Sequence, residues 1–210
     1  MELLYPVIAT VAAYLLGSLP FAVIVSRAFG LSDPRTFGSK NPGATNVLRS
    51  GSKKAAIITL LFDALKGLLP VLAVRYFGKP YGLEDGTAAL VGLAAFLGHL
   101  WPVFFGFKGG KGVATALGVL FGVDLYLGLM VGATWLFVAY VSRYSSLSSL
   151  VAAVFAPAFY LLLDGSLWRA EKTIALALVV MGGLLIYRHY ENIGRLIAGK
   201  ESKLGAKKAS

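Results

Sequence analysis

The sequence predicts an all-α membrane protein: a polytopic bundle of seven transmembrane helices, amino terminus outside and carboxyl terminus in the cytoplasm. Three observations predict it. Of 210 residues, 57% are hydrophobic and 14% charged, where a soluble domain carries nearer a quarter charged. The apolar residues fall into seven runs separated by polar breaks. The basic residues collect on every second break, as the Lys/Arg bias of cytoplasmic loops requires. With a mean hydropathy of +0.74 there is no room for a separate soluble domain. Residues 1–198 therefore read as one membrane-embedded domain and 199–210 as a basic cytoplasmic tail.

The first run, 3–29, is long enough to cross a bilayer with some tilt. Its start lacks a basic region and a small-residue cleavage site, so it reads as a retained helix and not a signal peptide. A polar loop at 30–52 leads to a second run at 53–77, closed by a Gly/Pro/acid turn at 78–85. The third run is 86–107. The fourth, 113–123, has 11 residues, too short for a full crossing unless the preceding loop dips inward or the bilayer thins. Asp124 marks a turn. The last three runs are 125–141, 147–163 and 169–186, parted by turns at 143–146 and 164–168.

Seven crossings put the termini on opposite sides. With the carboxyl end inside, the inner segments hold fifteen basic residues, Lys207 and Lys208 of the tail among them. The outer segments hold four: Arg75, Lys79, Arg169 and Lys172. Six crossings would destroy this segregation, because Arg143 and everything after it would change sides. Within the second run, Asp63 and Lys66 lie a third to halfway across. A charge at that depth costs roughly 2.5–3.5 kcal/mol on insertion scales, so the two must pair or face a polar interior. At i, i+3 they can pair with each other, which leaves a structural and a catalytic role both open.

In this orientation three polar stretches, distant in sequence, share the cytoplasmic face. The first, 38–49, reads Gly-Ser-Lys-Asn-Pro-Gly-Ala-Thr-Asn-Val-Leu-Arg. Pro42-Gly43 suits the centre of a type II turn. Ser39, Asn41, Thr45 and Asn46 offer hydroxyl and amide donors. Lys40 and Arg49 add charge, and the Arg fork matches two oxygens of a phosphate.

The second stretch, 106–115, reads Gly-Phe-Lys-Gly-Gly-Lys-Gly-Val-Ala-Thr. Its glycines do not hold a helix, since each costs about 1 kcal/mol relative to Ala. They can aim successive backbone N–H groups at one point, an anion cradle. Lys108 and Lys111 add charge, and the N-terminus of the helix from Val113 faces the same point. A basic loop resting on anionic lipid is the other reading of these residues. The spacing fits neither the Walker loop nor the dinucleotide fingerprint. His99, just ahead at the inner end of the third run, is either a hydrogen-bonded packing residue or a site residue. Trp101, Phe104 and Phe105 are either interfacial anchors or walls for an acyl chain.

The third stretch, 187–195, reads Tyr-Arg-His-Tyr-Glu-Asn-Ile-Gly-Arg. His189 and Asn192, three apart, share a face on a helical extension. A neutral imidazole can accept a proton near pH 7, and Glu191 can pair with any of several cations. A segment that only binds anionic lipid would need no more than Arg188, Arg195 and the tail lysines.

Metal chemistry is not indicated, because two histidines 90 residues apart with few carboxylates near them make no ligand set. The chain has no Cys, hence no thiolate nucleophile, and nothing in it calls for a cofactor. Five residues after His99 stands Phe104, and five after His189 stands Gly194. The His-four residues-Asp pair of acyl-CoA-dependent acyltransferases is therefore missing, as are the clustered aspartates of CDP-alcohol transferases. What is left is a pocket of phosphate-type donors with one base and apolar walls. It suits two phosphate-bearing substrates, one of them lipid-like.

The three stretches, with Gly17-Ser-Leu-Pro20 ahead of them, resemble the motifs of the bacterial acyl-phosphate-dependent glycerol-3-phosphate 1-O-acyltransferases, an integral membrane family. The motifs occur in order over nearly the whole chain. The resemblance implies that acyl phosphate and sn-glycerol 3-phosphate give 1-acyl-sn-glycerol 3-phosphate (lysophosphatidate) and phosphate. This would be the first acylation of phospholipid synthesis, at the cytoplasmic face of the bacterial inner membrane. Such a donor is an activated mixed anhydride, so no acyl-enzyme is needed; that suits a chain without Cys or a Ser-His-Asp set.

Residue by residue, the resemblance implies that Ser39 and Arg49 are essential and hold a phosphate, with Lys40, Asn41, Gly43, Thr45 and Asn46 beside them. Gly109, Gly110 and Gly112 would form the donor's phosphate loop, flanked by His99 and Thr115. Lys108 and Lys111 would neutralise the departing phosphate. His189 and Asn192 would be the essential pair near the glycerol hydroxyl, next to Glu191. The base is either His189 or the donor's own phosphate; a good leaving group held in close position favours the second. Two rivals come from other classes, a membrane transporter for an organic phosphate and a scaffold docking on anionic lipid. A transporter wants access from both faces and internal symmetry, which the crowding of motifs on one face opposes. A scaffold has no use for the uncharged Ser39, Asn41, Asn46 and Asn192.

Overall fold

The computed structural model describes residues 4–205, which form ten α-helices and no strand. Leu3 of the first run and Lys207 and Lys208 of the tail lie outside the described residues. By length and composition four helices can cross a membrane, or up to six where each of two bent pairs is one span.

The run at 3–29 is not one rod. α1 (Leu4–Gly17) and α2 (Phe21–Ala28) meet at a 43° bend. Pro20 has no N–H to donate and its ring crowds the turn before it, so the ladder breaks there. The Ser18 hydroxyl turns back onto the Tyr14 carbonyl at 2.9 Å. The loop at 30–52 is not featureless; it carries a short helix, α3 (Ala44–Leu48). α4 (Lys53–Phe77) starts at Ser52, whose hydroxyl accepts from the Ala55 amide at 3.2 Å, a side-chain N-cap. α5 (Asp85–Leu100) stops short of 107, because Trp101 precedes Pro102 and is pushed out of the helical region. A single tight turn at Val103–Phe105 follows. The short fourth run is a helix of its own, α6 (Val113–Val123). Asp124 parts it from α7 (Leu125–Ser142) and caps the latter, accepting from the amides of Tyr126 and Leu127 at 2.8 and 3.1 Å. α8 (Ser145–Leu162) and α9 (Lys172–Arg188) follow, and α10 (Tyr190–Ile197) leaves α9 at 57°.

α5 is the hub, packed against α1, α4, α6 and α9. Lipid tails are as apolar as Leu, so helices in a bilayer gain less from hiding apolar surface than from close backbone approach. α4 and α6 show this best. A methyl on Gly118 would overlap the Ala64 carbonyl, and one on Gly122 would meet Val71 Cβ at 2.7 Å. Leu61, Leu136, Phe137 and Leu176 point outward and are exposed, as a lipid-facing surface requires. Asp63 and Lys66 turn inward, each 2% exposed, and pair at 2.8 Å. The end of α5, the starts of α6 and α8, the α9–α10 junction and the 30–52 loop come together at one end of the bundle.

Candidate active site

Asn46 organises the first polar stretch. Its side-chain amide donates to the carbonyls of Pro34 at 2.6 Å and Phe37 at 3.2 Å, and its oxygen accepts the Ser39 amide at 3.1 Å. Asn46 is buried and has no donor left for a ligand, so it shapes the loop. Gly38 (φ 58°) and Lys40 (φ 54°) take left-handed conformations on either side of Ser39. The expected type II turn is absent: Gly43 is extended (φ −152°, ψ 163°) because it caps α3. Ser39, Lys40 and Arg49 are exposed on the loop's rim, and Asn41 and Thr45 are half-buried. Thr45 Oγ1 comes within 3.4 Å of the Ser145 hydroxyl at the start of α8. Arg49 donates to Ser202 Oγ at 2.6 Å.

The glycine loop is not a bare cradle of amides. The N–H groups of Gly109 and Gly110 donate to the last carbonyls of α5, Leu100 at 3.2 Å and His99 at 3.1 Å. They satisfy acceptors that a helix end leaves orphaned, and so are not free for an anion. On the other edge Arg188 donates to the carbonyls of Gly109 and Gly110 at 2.9 and 3.2 Å. The loop is clamped from both sides. Gly112 (φ 84°) leads into α6, whose first turn has no side-chain cap and presents the positive end of the helix. Lys108 is exposed and Lys111 half-buried. Thr115 does not reach the site: it is fully buried against α4, where a methyl on Gly67 would overlap its carbonyl. His99 lies behind the loop, its ring against Gly110. A narrow pocket beside the loop is lined by Pro20, Phe21, Arg35, Phe105, Lys108 and Gly109. Phe105 is thus a pocket wall, while Phe104 is exposed on the outside.

The groups meet at the third stretch. Lys111 Nζ donates to Asn192 Oδ1. Asn192 Nδ2 donates to Glu201 Oε1 at 2.6 Å, and the Ser146 hydroxyl donates to the same oxygen at 2.7 Å. Arg195 Nε donates to Glu201 Oε2 at 2.7 Å. Glu191 is exposed on the rim, 3.8 Å from the Arg195 guanidinium. His189, at the α9–α10 junction, is buried with Nδ1 2.8 Å from the Leu185 carbonyl. With Nδ1 as the donor, Nε2 is left as an acceptor. Burial pushes the His189 imidazole down to about 4, so it is neutral at pH 7. Burial also lowers the Lys111 ammonium to about 8, with Arg195 pressing the same way and Glu201 opposing. Burial alone would raise the Glu201 carboxyl, but hydrogen bonds from Ser146, Arg195 and Asn192 outweigh it and hold the group below its ordinary range.

The structure therefore brings Arg49, Lys111, His189 and Asn192 to one place, with Ser39, Lys40, Lys108 and Glu191 around its rim. Asn46 and His99 stand behind as supports, and Thr115 lies elsewhere. Four participants are absent from the sequence candidates: Ser146, Arg188, Arg195 and Glu201. Signal existed for all four: Arg188 and Arg195 are the cations of the third stretch itself, where binding of anionic lipid already accounted for them. Glu201 is the single acid in 199–210, and Ser146 belongs to a serine cluster opening an otherwise apolar run. Residues 199–205, read as the start of the tail, fold back over the site; the Leu204 amide donates to the Arg143 carbonyl at 2.7 Å. Arg195 alone pairs with the Glu201 carboxylate, while Arg49, Lys111 and Arg188 donate to neutral oxygens of Ser202, Asn192 and the glycine loop, an excess of cationic donors that suits phosphate.

Comparison with known proteins agrees with this chemistry. The family model described as glycerol-3-phosphate acyltransferase matches residues 7–199. The chain is 66% identical over 207 residues to a glycerol-3-phosphate acyltransferase of Albidiferax ferrireducens, covering 99% of this chain and 92% of the relative. It is 59% identical to the like-named protein of a Janthinobacterium species, covering 96% and 98%. Among solved structures it resembles PlsY (YgiH), an integral membrane glycerol 3-phosphate acyltransferase. In the glycerol 3-phosphate form of that protein the TM-score is 0.87 at 41% identity, with 96% of each chain covered. In the lysophosphatidic acid form the TM-score is 0.85 at 40% identity, with the same coverage.

Proposed function

The chain belongs to the glycerol-3-phosphate acyltransferase family and is an integral membrane acyltransferase, and from that premise we propose that its donor is an acyl phosphate. The acyl group passes to the 1-hydroxyl of sn-glycerol 3-phosphate, giving 1-acyl-sn-glycerol 3-phosphate and inorganic phosphate. The enzyme sits in the bacterial cytoplasmic membrane with its active site toward the cytoplasm. Seven crossings with the amino terminus outside fit the fifteen-to-four segregation of basic residues. In that count α1 with α2 makes one crossing, α6 makes another despite its length, and α10 lies along the interface.

One observation carries the reading: Arg49, Lys111, His189 and Asn192 lie beside a clamped glycine loop, in a chain with no Cys and no Ser-His-Asp set to form an acyl-enzyme. A direct transfer needs only that both anions be held in line. The glycerol oxygen attacks the acyl carbonyl carbon and forms the ester C–O bond. The C–O bond to phosphate breaks, and phosphate leaves with the electron pair. Lys111 and the positive end of α6 offset the charge that gathers on the leaving phosphate. Arg49 and the rim donors hold the acceptor's phosphate. His189, brought to about 4 by burial, is a weak base at neutral pH. A phosphate with its second ionisation near 6 matches the task better, so the leaving phosphate takes the hydroxyl proton while His189 Nε2 orients the hydroxyl.

The test is purified protein given acyl phosphate and labelled glycerol 3-phosphate. Lysophosphatidate and free phosphate should appear without acyl-CoA or carrier protein. Product formed only from acyl-CoA, or none at all, sinks the donor assignment.

A further inference from the structure

Lys66, Asp63 and His99 take no part in the reaction as proposed, yet they form a buried chain through the bundle. Lys66 Nζ donates to the Leu19 carbonyl, at the break between α1 and α2, at 2.8 Å. It pairs with Asp63 at 2.8 Å, both side chains being no more than 3% exposed. Asp63 Oδ1 lies 3.5 Å from His99 Nδ1. The His99 ring rests against Gly110, where a methyl would overlap Nε2. The His99 carbonyl accepts the Gly110 amide at 3.1 Å, and the Leu100 carbonyl accepts the Gly109 amide at 3.2 Å. The contacts run from the first-helix break, across α4 and α5, to the glycine loop.

We propose that Lys66 and Asp63 are positioning residues for the donor site, acting through His99 on the glycine loop. The inference rests on the reading of that loop as the donor's side. A fold-only role is served as well by apolar residues, since replacing a buried ion pair with apolar residues of similar volume is often neutral or stabilising. Apolar residues also carry no cost of inserting charge into a bilayer. What apolar residues do not supply is direction. The carboxylate faces the His99 ring on the side away from Gly110, 3.5 Å from Nδ1 and without a hydrogen bond to it, and its negative charge favours the orientation that turns Nδ1 toward it. A rotated ring would enter the space next to the Gly110 α-carbon and move the loop. Lys111 is the next residue, so a shift of Gly110 is a shift of the ammonium that meets the leaving phosphate.

The test compares wild type with Asp63→Leu/Lys66→Met, which removes both charges at once, and with Asp63→Asn, which keeps a carbonyl oxygen in place. KM for each substrate, kcat and the size-exclusion profile are measured in detergent. The folded double variant should show a donor KM raised at least fivefold, with the glycerol 3-phosphate KM within twofold of wild type. Asp63→Asn should fall between the two. A second readout does not depend on turnover: tryptic cleavage after Lys108 should quicken relative to cleavage after Arg169, in the α8–α9 turn. Unchanged donor KM and cleavage overturn the proposal, as does an equal rise of both KM values. Failure of both variants to fold assigns the pair to folding alone and overturns it too. Wild type inactive with acyl phosphate is a different result, striking the donor assignment and leaving the cleavage ratio to judge this one.

Discussion

Glu201→Ala removes the acceptor of three hydrogen bonds, from Asn192 at 2.6 Å and from Ser146 and Arg195 at 2.7 Å. A hydrogen bond involving a charged group contributes about 1.5–3 kcal/mol. The three share one carboxylate, so they do not add, and a combined loss of roughly 2–4 kcal/mol is expected. That is a factor of roughly 30–1,000 in the balance between a docked and an undocked segment at 199–205. Asn192, buried and still accepting from Lys111, would lose the contact that fixes its other edge. The KM for glycerol 3-phosphate should rise tenfold or more, and Tm in detergent should fall by about 5–10 °C. Glu201→Gln keeps Oε1 as an acceptor for Asn192 and Ser146 but loses the charge facing Arg195, so its effects should be intermediate. Steady-state kinetics with each substrate varied, beside a thermal melt, gives both numbers. An E201A enzyme with wild-type KM values and an unshifted Tm would refute the claim that this carboxylate anchors the site.

Gly110→Ala places a methyl into the His99 ring and 3.0 Å from the Pro42 carbonyl. The forced shift of the loop should raise the donor KM by roughly 10–100-fold, with the glycerol 3-phosphate KM within twofold; a rise confined to the acceptor KM counts against it. The pH profile should follow Lys111, which carries its charge below about 8. As pH rises through that value the free enzyme loses the charge, and kcat/KM for the donor should fall about tenfold per unit above it; a bound anion holds the proton, so kcat falls at higher pH. Lys111→Arg should remove the alkaline limb, and a limb that persists in that variant belongs to another group. His189→Gln should lose less than about 100-fold in kcat at pH 7.5, whereas removing a general base costs up to about 10⁴-fold. A loss above 10³-fold moves the proton acceptor from the phosphate to His189.

The helices were legible because hydropathy needs no tertiary context. A long apolar run with few charges reads as a helical span whatever it packs against, and four to six such spans are recovered by length and composition. The Asp63–Lys66 pair was legible for a similar reason, since i, i+3 spacing places partners together within one helix. The Pro20 break was readable in principle, as a proline inside a long apolar run kinks or ends the helix, but the angle depends on what the halves pack against. Hydrogen-bond partners across the fold were not readable. The glycines announce a permissive backbone; nothing local says that two of their amides close the end of α5. Gly43 misled because Pro-Gly favours a type II turn in isolation, and here the start of α3 took the residue instead. Ser146 and Glu201 stand 55 residues apart, and no periodicity links a tail acid to a helix-start hydroxyl.

The clamped loop changes what the glycines are for. If the amides of Gly109 and Gly110 bound phosphate, the loop would be the anion's main partner and the lysines accessory. With those amides held by Leu100 and His99 and the carbonyls held by Arg188, the attraction has to come from side chains and from the open end of α6. The glycines then serve proximity: only residues without side chains let the chain pass between α5 and Arg188 and still turn into α6 at Gly112, with φ 84°. Lys111 sits between two fixed points, Gly110 and Gly112, and its ammonium is held on Asn192. A charge so fixed before substrate arrives needs little reorganisation as the proposed leaving phosphate gains charge, which is the condition under which electrostatic stabilisation acts most strongly. On this argument a lysine placed on a more mobile loop would bind the donor nearly as well but turn it over more slowly. The difference should appear in kcat for variants that loosen the loop without moving its mean position, such as Arg188→Lys, where one donor group replaces a two-pronged fork.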